Sequence, residues 1–206
     1  MNHSKEIYEI LHNRFPGSKC FLDHNNVFEL LCAVMMSAQT TDERVNSVAK
    51  ILFKKYPTPN ILKDADINDV INIIKPIGLA NAKAKNLISL AKIIDEDYNG
   101  EIPCNKEELI KLPGVGNKTA NVVLAVGFNV PEIAVDTHVY RTSYRLGLRE
   151  ENDSLLECEY KLKAYFPIEH WIEIHHLLIL FGRNYCKAKK PLCETCILKD
   201  YCKHGV

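Results

Sequence analysis

Four cysteines, Cys186, Cys193, Cys196 and Cys202, are spaced C-x6-C-x2-C-x5-C within seventeen residues. Thiolates gathered this closely select zinc or iron–sulfur, and four of them close a tetrahedral shell. Structural zinc modules usually bring two C-x2-C pairs, whereas only Cys193 and Cys196 form one here. The ferredoxin run C-x2-C-x2-C-x3-C also differs, so an electron carrier is not the natural reading. The outer two thiols sit at unequal offsets, as if wrapping a single bulky object. Five lysines (Lys187, Lys189, Lys190, Lys199 and Lys203) accompany the cysteines, against Glu194 and Asp200. They either balance an anionic thiolate group or meet phosphates, Lys189 and Lys190 foremost because they share the first inter-cysteine loop.

A second constellation lies upstream, in Leu112-Pro113-Gly114-Val115-Gly116-Asn117-Lys118-Thr119-Ala120. Apolar-Pro-Gly-apolar-Gly followed by a helix start is the helix–hairpin–helix pattern. Two glycines leave backbone N–H groups uncovered beside the free N–H groups of a helix N-terminus, which together suit one DNA phosphate without any positive side chain. Lys118 falls in the first turn of that helix, where the dipole disfavours a cation. An amine whose neutral form is favoured is a nucleophile. Asp136, in Ala134-Val135-Asp136-Thr137-His138, precedes an apolar helical stretch and reads as an N-cap. A cap that stays ionised can also face a substrate. His138, His175 and His176 read as structural, because adjacent His175 and His176 point about 100° apart on a helix and miss the i, i+4 spacing of a zinc pair.

The elements that must position these groups are helical. No segment alternates as a strand does, while helical periodicity recurs throughout the chain. Asn26 and Glu29 predict a capped helix through Met36, and Thr40 with Glu43 predicts a capping box opening the next. Further helices are expected over 67–74, 81–95, 106–110, 117–128, 139–146, 154–165 and 170–180, joined by short turns. Lys75-Pro76-Ile77-Gly78-Leu79 weakly echoes the hairpin at 112–116. The chain has 206 residues, 47% hydrophobic and 25% charged, with a formal net charge of zero, so a nucleic-acid role must rest on charge placement rather than the sum. No apolar run is long enough to span a membrane. The N-terminus lacks a signal peptide's apolar core, which points to a reducing cytoplasm, with nucleoid association if the source is prokaryotic. Cys20, Cys32, Cys104 and Cys158 read as small apolar core residues.

Hairpin, lysine, Val-Asp-Thr-His eighteen residues beyond it and the cysteine tail together resemble the endonuclease III family, bifunctional DNA glycosylase/AP lyases of the helix–hairpin–helix superfamily. The resemblance covers nearly the whole chain, including Asn121-Val122-Val123 and His175-His176-Leu177-Leu178-Ile179-Leu180. It implies an all-α fold of two helical domains with a cleft between them: residues 22–130 as a helical barrel containing the hairpin, and residues 1–21 with 131–206 as the cluster domain. It further implies one [4Fe–4S] cluster held by Cys186, Cys193, Cys196 and Cys202, with Lys118 as nucleophile and Asp136 as its partner. DNA contacts fall to Gln39, Ile77, Gly78, Leu79, Leu112, Gly114, Val115, Gly116, Lys189 and Lys190. The implied partner is duplex DNA carrying a damaged base or an abasic site, bound by a monomer. Asn117 departs from the family, which often has a basic residue there, so a side-chain phosphate contact at that position is not expected.

Two rivals are weighed by the same residues. A monofunctional adenine or thymine mismatch glycosylase of the superfamily is the nearer one, and adenine glycosylases lack a lysine matching Lys118. A non-catalytic DNA-binding module would use the hairpin as a phosphate clamp and need neither Lys118 nor Asp136.

Overall fold

The computed structural model describes residues 3–204, which contain helices and turns and no strand. The chain divides into two compact units, Cys20–Phe128 and Met1–Lys19 with Asn129–Val206.

The unit Cys20–Phe128 is built on α2 (Val27–Met36), in which every residue from Phe28 to Met36 is buried. A helix apolar on all sides belongs at the centre of a core. Asn26 starts it by accepting from the Glu29 N–H, and Glu29 returns a carboxylate oxygen to the Asn25 N–H. Against it pack α3 (Asp42–Lys55), α6 (Ala80–Asp97) and α8 (Asn117–Val122), while the short α4 (Pro59–Leu62) and α5 (Ile67–Ile74) pack on α6 and α7 (Lys106–Leu109) packs on α8. Their inward faces supply Val45, Leu52, Leu62, Ile74, Leu87, Leu90 and Ile94 to the core.

Two expectations about helices needed adjustment. Thr41, not Thr40, caps α3, its hydroxyl accepting from the Arg44 N–H at 3.5 Å, while the Thr40 hydroxyl is buried. The helix expected over 117–128 keeps α geometry only to Val122 and then widens into a π-helical turn, Val123–Gly127. Gly127 lies against Val27 and Leu30 of α2, where a Cβ would come to 3.0 Å from the Val27 side chain. A single wide turn is a common way to re-aim a helix.

The other unit carries α1 (Ser4–Arg14), α9 (Thr137–Arg145), α10 (Leu155–Tyr165) and α11 (Trp171–Asn184). Ile7 and Leu11 of α1 meet Val139, Leu162, Ile174, Leu177, Leu178 and Phe181 in one core. Ser154 and Glu157 form a full capping box on α10. Among the described residues no helix is long and apolar enough to cross a membrane. Of the four scattered cysteines, Cys32 and Cys158 are buried as expected, Cys20 is half-buried, and Cys104 is exposed on a loop rather than in the core.

Candidate nucleic-acid interface and cluster site

The hairpin forms as a tight turn between α7 and α8. Leu112 and Val115 point into the core, and the Val115 N–H bonds the Leu112 carbonyl at 3.1 Å. Gly114 takes φ +77°, and a Cβ there would come to 2.8 Å from Met35 Cε and 2.9 Å from Asn86 Nδ2. Positive φ favours glycine at 114, and a Cβ there would also displace the ends of the Met35 and Asn86 side chains. Gly116 is different. Its φ of −101° suits any residue, and a Cβ would meet nothing within 4 Å. Gly116 is also the N-cap of α8 and offers no side-chain cap. The bare glycine therefore keeps the backbone at the start of α8 open to an incoming group, as an anion site requires. Lys118 sits half-buried in the first turn beyond it. Its charge reaches Cys20, whose thiol burial pushes up while Lys118 exerts a smaller opposing pull.

The same unit displays two side chains on strained backbone. Gln39 has φ +58° and Leu79 φ +51°, a left-handed conformation that costs a non-glycine residue roughly 1–2 kcal/mol. Both are exposed, and Leu79 shows 57% of its surface. Ile77, by contrast, is buried, and Gly78 at φ +71° makes the turn. Ile77 therefore anchors the turn through its side chain while Leu79 projects. Sequence reasoning missed a residue that joins the two displays. Lys83 of α6 is buried, and its ammonium donates to the carbonyls of Met36 (2.8 Å), Ala38 (2.8 Å) and Ile77 (3.2 Å).

In the other unit, Asp136 is half-buried and caps α9, Oδ1 accepting from the Val139 N–H at 2.7 Å. His175 and His176 are buried with rings 3.9 Å apart. Burial pushes His176 down to about 4, so it is neutral near pH 7.

The tail gathers the four cysteines around one cavity of about 220 Å³, also lined by Arg145, Tyr185 and Leu192. Burial pushes the Cys196 thiol up, and the charges of Cys186, Cys202 and Cys193 push it further, as four converging sulfurs must. The cavity exceeds several times the roughly 30 Å³ of one water. An all-thiolate donor set around a space of this size fits an iron–sulfur cluster. Two arginines, not singled out as loop supports by the sequence, hold the loop that follows. Arg141 donates to the Cys186 and Gly182 carbonyls, both at 3.0 Å. Arg145 donates to the Lys187 carbonyl at 2.8 Å and to Cys186 Sγ at 3.4 Å. Lys187, Lys189 and Lys190 stand exposed on that loop, Lys190 at φ +51°.

This combination of a helix–hairpin–helix turn with a following lysine defines a class, and residues 32–167 match the model of the HhH-GPD superfamily base excision DNA repair proteins. Residues 186–202 match the iron–sulfur binding domain of endonuclease III. Endonuclease III of Bacillus subtilis (strain 168) is 51% identical over 93% of this chain and 87% of its own. A non-covalent endonuclease III–DNA complex superposes with a TM-score of 0.94 at 46% identity, covering 98% of this chain and 94% of that one. A trapped endonuclease III–DNA covalent intermediate, an estranged-adenine complex, gives 0.94 at 46% identity, covering 100% and 98%. The chain belongs to the endonuclease III family of base excision DNA repair enzymes.

Proposed function

We propose that the chain is a DNA glycosylase with AP lyase activity that removes oxidised pyrimidines from duplex DNA. The observation that carries this is Lys118 in the first turn of α8, two residues after the N-cap Gly116, which has no side chain to cover the helix start. A phosphate held by that backbone brings the neighbouring sugar to the amine.

The damaged nucleotide is flipped out of the stack, at a cost of a few kcal/mol. Gln39 fills the space left behind, and exposed Leu79 wedges against the opposite strand, as apolar side chains do when they enter base steps. The backbone N–H groups of Gly114 and Gly116 carry the phosphate contact, held in place by Leu112 and Val115, whose own N–H groups bond the Leu109 and Leu112 carbonyls, and Ile77 and Gly78 present the wedge. Lys118 Nζ attacks C1′, and the glycosidic bond breaks with its electrons going to the base. Asp136 helps to generate the amine nucleophile and stabilises the positive charge that develops on the sugar. Ring opening then gives a Schiff base between Lys118 and C1′. Loss of a C2′ proton and departure of the 3′ phosphate by β-elimination cut the strand on the 3′ side. Support for a covalent step comes from the relative trapped in covalent complex with DNA.

Cys186, Cys193, Cys196 and Cys202 hold one [4Fe–4S] cluster, which when bound supplies a rigid crosslink to the tail. The loop between the first two ligands then offers Lys189 and Lys190 to the DNA backbone. The enzyme acts as a monomer in the cytoplasm, with its DNA.

The test is base release from a duplex bearing one thymine glycol, with an undamaged duplex as control. Release of the damaged base with strand cleavage is the expected result. Release from an adenine or thymine mismatch alone, leaving an intact abasic strand, would transfer the chain to the mismatch glycosylases.

A further inference from the structure

The geometry points to Lys83 as a positioning residue whose ammonium ties the Gln39 turn to the Leu79 turn, so that the two groups entering the DNA stack move as one body. The inference rests on the roles proposed above for Gln39 and Leu79.

Lys83 is 7% exposed. An ammonium taken out of water is costly unless its donors are met. It has three donors and meets three acceptors, the carbonyls of Met36, Ala38 and Ile77. None of these is a carboxylate, so the charge is not there to complete an ion pair. The positions of the three carbonyls give the arrangement its meaning. Ala38 immediately precedes Gln39, and Ile77 precedes Gly78-Leu79. Met36 ends α2, where a carbonyl lacks a partner within its helix.

Gln39 and Leu79 both hold left-handed backbone, and such residues persist only where their surroundings fix them. Their side chains are exposed and cannot do the fixing. Each turn has a local anchor, a Gly78 N–H bond to the Lys75 carbonyl with buried Ile77 at one and a Thr40 N–H bond to the Ser37 carbonyl at the other, but the carbonyls just upstream are what one side chain holds in common. Lys83 is also clamped to the second turn through its own helix, because its N–H bonds the Leu79 carbonyl at 3.0 Å. A wedge and a filler that must enter opposite sides of one base step need fixed separation, and Lys83 sets it.

The experiment is a mutant cycle read by single-turnover base excision on a thymine glycol duplex. Lys83→Met keeps the aliphatic stem and removes all three donors. It is expected to slow excision by about tenfold to a hundredfold, the scale of a misplacement of about 1 Å. Affinity for undamaged duplex, carried by the hairpin and by Lys189 and Lys190, is expected to stay within about twofold. In a Gln39→Ala/Leu79→Ala background the same substitution is expected to slow excision by less than about threefold, because the groups it positions are gone. Equal losses in both backgrounds would mean a general structural role and overturn the proposal, as would wild-type excision by Lys83→Met. Should Lys83→Met lack a cooperative unfolding transition, Lys83→Gln supplies the same cycle with a smaller loss. Wild-type excision by Gln39→Ala/Leu79→Ala would sink the roles of both turns and this inference with them. Slow excision there beside normal Lys83 variants would sink this inference alone.

Discussion

Two turns in the same unit share a composition and do opposite things. Pro76-Ile77-Gly78-Leu79 and Pro113-Gly114-Val115-Gly116 each join two helices through a proline and a glycine at φ near +70°, +71° at Gly78 and +77° at Gly114. They differ at the residue that caps the next helix. At the first turn the cap is Leu79, itself left-handed, which throws an apolar side chain outward. At the second it is Gly116 in extended conformation, which shows only backbone. The glycines differ as well, since a Cβ on Gly78 meets nothing within 4 Å while one on Gly114 strikes Met35 and Asn86. One turn is built to push a side chain into a partner, and the other to let a partner approach the chain. On the function proposed above, similar turn chemistry would serve a wedge at one turn and a phosphate seat at the other, with the cap residue deciding which.

Substitution can separate the two. Gly114→Ala combines a disfavoured φ with a steric clash and is expected to lower unfolding free energy by about 2–3 kcal/mol in a denaturant titration. Gly78→Ala meets only the φ penalty and is expected to cost about 1 kcal/mol. Equal losses would show that the packing difference carries no energy. Leu79→Ala should leave stability within about 0.5 kcal/mol but slow excision about tenfold, with duplex affinity little changed. Gly116→Ala should do the reverse to binding. Its stability cost is expected below about 1 kcal/mol, and duplex affinity should fall about tenfold as the methyl covers the backbone donors. An affinity untouched by Gly116→Ala would remove the phosphate seat. Acid supplies a further contrast. His176, in the other unit, is held neutral with its pKa down at about 4. Its contribution to stability is therefore full above the unfolded value of about 6.5 and is lost as pH falls from there towards 4. Neither turn holds a group that titrates in that window, so the gap between Gly114→Ala and Gly78→Ala should not change with pH.

Much of this was legible in the residues. The hairpin reads directly because its requirements are local: a proline to stop one helix, a glycine for positive φ, and an uncapped start to the next. The cysteine run reads for the same reason, and Asp136 announced its cap. What stayed hidden depends on distant partners. The apolar run Val122–Val126 has the same pattern in α and π geometry, so the wide turn that seats Gly127 on α2 was invisible. Lys83 looks like any lysine on an amphipathic helix. Its burial follows from carbonyls 45 and 47 residues away, which no spacing rule connects to it. Arg145 is likewise defined by a loop more than 40 residues downstream.

The central claim is that Lys118 forms a covalent bond to the sugar, and borohydride trapping on a thymine glycol duplex tests it most directly. Wild-type protein and Lys118→Ala would be compared side by side, with duplex affinity measured for both. The account predicts a covalent protein–DNA band from wild type, none from Lys118→Ala, and similar affinity for the two. A band of equal strength from Lys118→Ala, or base release by wild type with no band at all, would contradict it.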